Sequence, residues 1–192
     1  TSGNINVNGK DVVFNNPNDV RRSGVEVVYQ DLALCDHLTA AKNIYLSREV
    51  KKFGFLLDHK KMNQNAQKLL DELNSSARPG DVVTGMSGGQ RQAIAIARTR
   101  LSEPKIVLMD EPFQGLDLMT TRELQETIVN LQTEDNSRCC IISDHAARDL
   151  LAISDKAVVI ANKKIIAQGS PSELIINKNA KSLYFGDSFK IN

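Results

Sequence analysis

Apolar and polar residues alternate in the first thirty positions of the chain, which is the pattern of short β-strands. Ile5 and Val7 alternate with asparagines, and Asn8-Gly9 is a strong signal for a hairpin turn. Short strands are predicted at 4–7, 12–14 and 25–29. The front of the chain is therefore predicted to be a small, partly antiparallel β portion.

The middle of the chain changes to helical spacing. Between positions 58 and 74 the apolar residues lie three or four positions apart, at Met62, Ala66, Leu69, Leu70 and Leu73. An amphipathic helix is predicted there, and Asp58 is a suitable N-cap because its carboxylate accepts hydrogen bonds from N–H groups of the first turn. The chain is predicted to be mainly helical over approximately 39–100.

Strands and helices alternate in the second half. The predicted strands are 105–109 and 138–143, and the predicted helices are 90–101, 120–132 and 146–153. This alternation predicts an α/β fold with a parallel sheet flanked by helices. A closing hairpin is predicted from 157–160 and 164–167, joined at Asn162-Lys163, and Pro171 begins a final short helix.

Composition narrows the possible functions. The chain of 192 residues suits one domain, and 24 basic against 23 acidic residues give a net charge of +1. A nucleic-acid partner is not expected, since binding would need a concentrated basic face. No apolar run approaches the roughly 18 residues that cross a bilayer. Three cysteines without metal-ligand spacing indicate free thiols.

One candidate for phosphate binding opens the predicted helix at 90–101. Ser87, Gly88 and Gly89 precede that helix. N–H groups at a helix N-terminus carry partial positive charge, and they point toward an approaching anion. Ser87 adds a hydroxyl donor, while the glycines let a phosphate approach the backbone.

A pair of carboxylates follows the next predicted strand. The apolar run from Ile106 to Met109 ends in Asp110 and Glu111. A buried strand would deliver these acids to its carboxyl end, which is the edge where α/β sheets bind ligands. A phosphate site together with a metal-binding acid and a base indicates nucleotide chemistry.

The two motifs together resemble the ATP-binding-cassette (ABC) ATPase family. Met86-Ser87-Gly88-Gly89-Gln90 is similar to the family signature Leu-Ser-Gly-Gly-Gln, and 106–111 is similar to the Walker B strand with its Asp-Glu. The other motifs follow in the family's order. Gln30 ends a strand as in the Q-loop, Gln114-Gly115-Leu116-Asp117 resembles the D-loop, and His145 follows a strand as in the switch loop.

The resemblance implies a P-loop NTPase-type fold that binds and hydrolyses ATP with Mg²⁺. Asp110 would hold the metal, and Gln30 would contact both the metal and the attacking water. Glu111 would act as the general base. His145 would hydrogen-bond the γ-phosphate. These residues are the predicted catalytic and metal-binding set.

The resemblance also implies that the active unit is a head-to-tail dimer with a second ATPase subunit. Ser87, Gly88, Gly89 and Gln90 would bind the γ-phosphate of ATP that is held on the opposite subunit. Asp117 would lie at that interface. Chromosome and DNA-repair ATPases carry related motifs, but a long coiled coil separates their Q-loop from their signature, whereas 57 residues separate Gln30 from Ser87 here.

The family's P-loop, Gly-x-x-x-x-Gly-Lys-Ser/Thr, is missing from the sequence. The nearest candidate, 3–10, has five residues between its glycines, and Asp11 stands where a magnesium-binding hydroxyl belongs. We expect 1–192 to be a single ABC ATPase domain without its N-terminal P-loop part, inactive by itself. Truncation is the favoured explanation, and a non-catalytic partner that lost its P-loop is the alternative. The absent strand is expected to leave unpaired backbone near Val107.

Two parts of the chain resemble different transporters. Residues 24–34 and 43–49 look like monosaccharide-importer ATPases, whereas 110–113, 143–145 and 182–189 resemble lipopolysaccharide-export and branched-chain amino-acid ATPases. A natural mosaic or a chimera would explain both. Sugar import is preferred, with transmembrane permease subunits as partners. The resemblance implies a cytoplasmic protein, peripheral on the inner face of the cell membrane.

Overall fold

The computed structural model describes residues 3–7, 9–133, 138–186 and 189, and these fall into two units, Thr1–Ser143 and Asp144–Asn192. The elements of the first unit, in chain order, are β1 (Ile5–Val7), β2 (Lys10–Val12), α1 (Pro17–Arg22), β3 (Val25–Val28), α2 (Ala40–Ile44), β4 (Lys51–Lys52), β5 (Leu56–Leu57), α3 (His59–Glu72), a 3₁₀ turn (Val83–Gly85), α4 (Gly88–Arg100), β6 (Ile106–Asp110), α5 (Leu118–Thr133) and β7 (Cys139–Ser143).

A three-stranded parallel sheet in the order β3-β6-β7 organises the first unit. The expectation of unpaired backbone near Val107 is wrong, because β6 is the central strand. Val107 pairs with Glu26 on one side and Cys140 on the other, and its side chain is buried. Among the described residues β3 and β7 are the edge strands of this sheet, and each pairs on one side only. The side chains of β7 alternate between exposed and half-buried, and Ile141 is exposed.

The predicted antiparallel β portion at the front is confirmed as the β1–β2 hairpin, although β2 is Lys10–Val12 and not the predicted 12–14, because the turn is tight and the second strand begins directly after Gly9. Gly9 lies in the turn with φ of +78°, a conformation that glycine adopts without steric cost. Asn8 lies outside the described residues. A second hairpin, β4–β5, was not predicted from the sequence, and its two strands are only two residues long.

The amphipathic helix predicted at 58–74 is confirmed as α3. The Asp58 carboxylate accepts a hydrogen bond from the Lys61 N–H at 3.0 Å, so Asp58 is the N-cap. The helices α2, α3 and α4 pack against one another. Their contacts bury Ile44, Leu70 and Ile94 completely. The middle of the chain is therefore helical, with its own apolar core beside the sheet.

Helix α1 was missed, although its start signals are present in the sequence. The Asn16 side chain accepts hydrogen bonds from the N–H groups of Asn18 and Asp19, and Pro17 occupies the first helical position. The helix has only six residues, and none of them is buried. Such a short helix has no apolar periodicity, so the pattern of apolar residues could not reveal it.

A charged cluster is buried beside the start of the sheet. Glu26, on β3, has a side chain that is only 7% exposed. Its carboxylate accepts hydrogen bonds from Arg48 at 2.8 Å and from the Ser102 hydroxyl at 2.6 Å, and Arg21 lies 3.7 Å away. Arg48 also donates to the Arg98 carbonyl at 3.3 Å. The cluster therefore joins β3 to the segment after α2, through Arg48, and to the segment after α4, through Ser102.

The second unit contains α6 (Ala147–Ile153), β8 (Ala157–Ala161), β9 (Lys164–Gly169), α7 (Pro171–Ile176), α8 (Lys178–Ala180) and a π-helical turn (Lys181–Phe185). The predicted closing hairpin is confirmed, since β8 and β9 pair antiparallel and both Asn162 and Lys163 adopt positive φ in the turn. A small core is formed by Leu151, Val159, Ala167, Leu174 and Ala180.

Candidate functional site

Three parallel strands end at the same edge of the sheet in the first unit, and polar residues collect there. Asp110 is the last residue of β6, and Ser143, the last residue of β7, is its partner in the register. The Ser143 hydroxyl donates to the Asp110 carboxylate at 2.6 Å. Gln30 follows β3 by two residues. The structure thus brings the ends of the strands that lead to Gln30, Asp110 and Glu111 to one edge of the sheet.

Glu111 leaves the strand in a left-handed conformation with φ of +46°. Its N–H donates to the Ser143 carbonyl at 2.7 Å, which holds the backbone in this turn just past the strand. A non-glycine residue with positive φ is uncommon, and such residues are concentrated at functional sites. The turn takes the Glu111 carboxylate away from the path of the strand.

The Gln30 side chain connects the end of β3 to the turn after β6. Its amide nitrogen donates to the Glu111 carboxylate at 3.1 Å and to the Gln114 side-chain oxygen at 2.6 Å. Gln114 and Ser143 were not among the predicted catalytic residues. Only their positions in the sequence could have pointed to them, because Gln114 comes three residues after Glu111 and Ser143 ends a neighbouring strand.

The segment that follows Gln30 is held by Arg98 on α4. The guanidinium donates to the Leu32 carbonyl at 2.7 Å and to the Ala33 carbonyl at 2.9 Å. Leu32 and Ala33 both have positive φ, so this backbone needs support from outside the segment. Burial, and next the positive charge of Arg48, lower the pKa of Arg98 from its usual value. Arg98 therefore links the predicted Q-loop to the helix that carries the signature.

Replacing Arg98 with lysine is expected to loosen this segment without removing the charge. An ammonium group cannot make the two-pronged contact of a guanidinium. Loss of one charge-assisted hydrogen bond should speed amide hydrogen exchange at 31–34 by roughly tenfold. Exchange measured by mass spectrometry tests this, with Arg122→Lys on the exposed side of α5 as the control. Equal protection from amide exchange at 31–34 in Arg98→Lys and in the parent would show that the Arg98 guanidinium does not hold this segment.

The predicted phosphate-binding residues lie at the start of α4. Ser87 is the N-cap, its hydroxyl accepts from the Gln90 N–H, and the Gln90 side chain accepts from the Ser87 N–H at 3.0 Å. The Gln90 amide nitrogen donates to Ser76 at 3.1 Å. The N–H groups of Gly88 and Gly89 fall in the first turn, where the helix offers no acceptor. They are the donors in this motif that a phosphate could use.

The two glycines are also required by packing within the chain. A Cβ atom on Gly89 would lie 2.6 Å from the Thr120 methyl, and one on Gly88 would lie 3.1 Å from Leu116. Thr120 also donates through its hydroxyl to the Asp117 carboxylate at 2.7 Å. This bond, followed by the Thr120 N–H, lowers the pKa of Asp117. The start of α4 therefore packs tightly against the turn that begins α5.

Gly89→Ala is expected to destabilise the protein by about 1–3 kcal/mol, because overpacking forces neighbouring groups to shift. Thr120→Ser removes the clashing methyl group and keeps the hydroxyl bond to Asp117, so the double variant should regain most of this loss. Gly85→Ala is the control, because nothing lies within 4 Å of its added Cβ. Urea unfolding measures all four proteins, and a neutral Gly89→Ala would show that this contact does not limit stability.

His145, the remaining predicted site residue, belongs to the second unit. It lies two residues after the end of β7, and its side chain is 67% exposed. The Nδ1 atom is 3.9 Å from the Asp144 carboxylate. The Asp144 carboxylate accepts from the Ala146 N–H at 2.8 Å, which shapes the turn before α6.

Comparison with known proteins explains this arrangement of motifs. The sequence profile of the family described as ABC transporter matches residues 1–114, more than half of the chain. The chain belongs to the ABC transporter family. Together with the relatives and the solved structure described next, this match confirms the predicted ABC ATP-binding subunit and the α/β fold class.

Relatives within the ABC family serve different transporters. The chain is 39% identical over 169 residues to the xylose/arabinose import ATP-binding protein XylG of Sulfolobus acidocaldarius, covering 84% of this chain and 66% of that protein. It is 28% identical over 189 residues to the lipopolysaccharide export system ATP-binding protein LptB of Haemophilus influenzae, covering 98% of this chain and 76% of LptB. The relatives therefore include both of the predicted transporter classes, sugar import and lipopolysaccharide export, and do not decide between them.

The fold agrees with a solved structure of an ABC domain. The post-hydrolysis dimer of the ATP-binding cassette MJ0796, bound to ADP and Pi, superposes with a TM-score of 0.71. The match covers 89% of this chain and 74% of that chain, at 18% sequence identity. At this identity the likeness shows the shared fold.

The described residues fit a magnesium nucleotide in part. Asp110 and Glu111 supply carboxylate oxygens at one edge of the sheet, and the Asp110 side chain is exposed. No group of three or more His, Cys, Asp or Glu residues that could hold a metal occurs in the described ranges. Mg²⁺ needs no such group, because it binds through one or two carboxylates together with phosphates and water. The donor set is therefore compatible with a metal that arrives with its nucleotide.

Proposed function

We propose that this chain supplies the hydrolytic and signature parts of an ABC transporter ATPase. The observation that carries the proposal is the hydrogen bond from Gln30 to Glu111 at the sheet edge where Asp110 ends its strand. This arrangement supports roles for Glu111 as the base, for Gln30 as an amide that reports on the phosphate, and for Asp110 as the metal-binding acid. Phosphoryl transfer needs mainly such positioning and charge stabilisation.

In this proposal each residue has a distinct task. Glu111 accepts a proton from the attacking water, and Gln30 orients that water while its amide holds the Glu111 carboxylate. Asp110 would hold Mg²⁺, which supplies charge neutralisation of the phosphates when bound. The Ser143 hydroxyl, which donates to the Asp110 carboxylate at 2.6 Å, would hold that carboxylate in place. His145 would contact the γ-phosphate.

The signature residues act on a second subunit in this proposal. The free N–H groups of Gly88 and Gly89, with the Ser87 hydroxyl, would contact the γ-phosphate of ATP held on the opposite subunit of a head-to-tail dimer. Gln90 supports the motif through its bonds to Ser87 and Ser76. Asp117, at the start of α5, would lie at the interface. The packing of the glycines against Leu116 and Thr120 supports this because it couples the signature to the D-loop.

The proposed partners are transmembrane permease subunits, with the protein peripheral on the cytoplasmic face of the membrane. In the described part of the chain, every helix is too short or too polar to cross a bilayer. Sugar import is the preferred transport function, since the XylG relative has the higher identity. Lipopolysaccharide export is the second candidate, because the match to LptB extends over 98% of the chain.

Calorimetry with Mg-ATP tests the proposal on the chain itself. Residues 1–192 are expected to bind Mg-ATP weakly and to hydrolyse essentially none. A P-loop lysine and its nest of N–H groups, which cradle the β- and γ-phosphates, are absent from these residues. Adding a P-loop segment should restore both binding and hydrolysis. Micromolar binding by a monodisperse monomer of 1–192 would show that another segment replaces the P-loop.

A further inference from the structure

A small hairpin of the first unit exposes several large apolar side chains that are not used in the core. Residues 51–57, here called the aromatic hairpin, contain β4, a three-residue tip and β5. Phe53 and Phe55 at the tip are 83% and 76% exposed. Leu56 and Leu57 on the second strand are 47% and 41% exposed. A contiguous exposed patch of this kind marks a surface that meets a partner or a membrane.

Both faces of the aromatic hairpin are open to solvent. Successive residues of a strand point to opposite faces, so Leu56 and Leu57 lie on different faces of the hairpin, and both are exposed. The base is fixed, because the Asp58 N–H donates to the Val50 carbonyl at 2.8 Å and Asp58 also caps α3. The tip is therefore carried on a hydrogen-bonded base and has two exposed faces.

The tip carries an aromatic residue where the backbone does not favour one. Phe53 has φ of +54°, next to Gly54 at +81°. Asparagine or glycine suits this left-handed conformation, whereas a bulky side chain is an outlier there. Since Phe53 is almost fully exposed, packing within the unit gives no reason for it. The aromatic side chain is therefore better explained by a contact outside this chain.

Four exposed lysines lie close to this apolar tip in the sequence. Lys51 and Lys52 lie on β4, and Lys60 and Lys61 lie in the first turn of α3. Within the described ranges, none of these lysines forms an ion pair. The two acidic residues of 49–61 already accept hydrogen bonds from the backbone, Glu49 from the Ser47 N–H and Asp58 from the Lys61 N–H. The segment 51–61 therefore combines exposed apolar side chains at the tip with exposed, unpaired lysines on both sides of it in the sequence.

We propose that the aromatic hairpin docks onto an anionic lipid surface. Phe53 and Phe55 would enter the boundary between headgroups and acyl chains, and the lysines would contact lipid phosphates. A lipid surface fits better than a protein, because lysine is depleted in the cores of protein interfaces but suits an anionic membrane. This docking goes beyond the proposed ATPase function and does not depend on nucleotide.

Vesicle binding by the full chain, without nucleotide, tests the docking. The sequence contains no tryptophan, so Phe55→Trp provides a single fluorescent reporter at the tip. Its emission should shift to shorter wavelength with phosphatidylglycerol vesicles and remain unchanged with phosphatidylcholine vesicles. Val13→Trp is the matched control, because Val13 is 82% exposed elsewhere in the first unit and should show no shift.

Substitutions separate the apolar contribution from the charge contribution. Phe53→Asn/Phe55→Ser should abolish sedimentation with phosphatidylglycerol vesicles, and asparagine also suits the positive φ at position 53, so the variant should stay folded. Lys51→Gln/Lys52→Gln should weaken binding by about 10- to 30-fold, since each lysine near an anionic surface is worth roughly fivefold. Lys163→Gln/Lys164→Gln, an adjacent exposed pair in the second unit, should bind as the parent does.

Two outcomes would overturn the proposal. One is equal binding of the parent and Phe53→Asn/Phe55→Ser to both kinds of vesicle. The other is a photo-crosslinker at position 55 that, in native membrane vesicles, labels a protein and no lipid, because the hairpin would then be a protein-docking surface. ATP hydrolysis is not measured in any of these experiments, so their failure leaves the proposed function standing.

Discussion

Glu111→Gln is expected to slow ATP hydrolysis by about 10²- to 10⁴-fold when it is measured in the chain supplied with a P-loop segment. Glutamine keeps the size of the side chain but cannot accept a proton from water. Nucleotide binding should persist, because the donors around Ser87 and Gly89 are unchanged. The variant is therefore expected to accumulate as a nucleotide-bound dimer, which steady-state hydrolysis and size-exclusion chromatography with Mg-ATP would measure together.

A matched control separates the role of the Glu111 carboxylate from that of its backbone. Glu103, three residues after the end of α4, has the same φ of +46° as Glu111, although it is exposed whereas Glu111 is half-buried. Glu103→Gln should leave hydrolysis unchanged. Parental turnover in Glu111→Gln would mean that another group is the general base, and the bond from Gln30 would then have only a structural role.

Arg48→Met is expected to destabilise the protein by about 3 kcal/mol. The change removes the 2.8 Å bond to Glu26, a carboxylate whose side chain is only 7% exposed. Breaking a buried ion pair from one side leaves an uncompensated charge, which typically costs about 3–5 kcal/mol. The Ser102 hydroxyl and the more distant Arg21 remain, so the lower end of that range applies. Urea unfolding followed by circular dichroism measures the loss.

Two further variants test whether burial of the Glu26 carboxylate causes the loss of stability in Arg48→Met. Arg91→Met breaks an ion pair of the same 2.8 Å length with Asp36, but both of these side chains are substantially exposed. It should cost less than about 1 kcal/mol. Glu26→Gln combined with Arg48→Met removes the stranded charge and should recover much of the stability. Similar losses in Arg48→Met and Arg91→Met would show that the Glu26 cluster is no more important than a surface pair.

Elements with local signals were predictable from the sequence. Helix α3, the β1–β2 hairpin and the β8–β9 hairpin depend on apolar spacing, an N-cap and turn residues that lie close together in the chain. The short helix α1 and the β4–β5 hairpin were missed, because they bury little apolar surface and so have no periodic pattern of apolar residues in the sequence. The family motifs likewise named Asp110 and Glu111, since a strand followed by two acids is a local pattern.

Strand order and contacts between distant segments were decided only by the tertiary structure. The sequence did not show that β6 lies between β3 and β7, which is why the expectation of unpaired backbone near Val107 failed. Nor did it show that Gln30 donates to Gln114, 84 positions away, or that Arg98 holds the backbone after Gln30. Local patterns determine elements because hydrogen bonds and caps act over a few residues. Which elements become neighbours depends on how their apolar faces and buried charges are satisfied together, and that is a property of the whole fold.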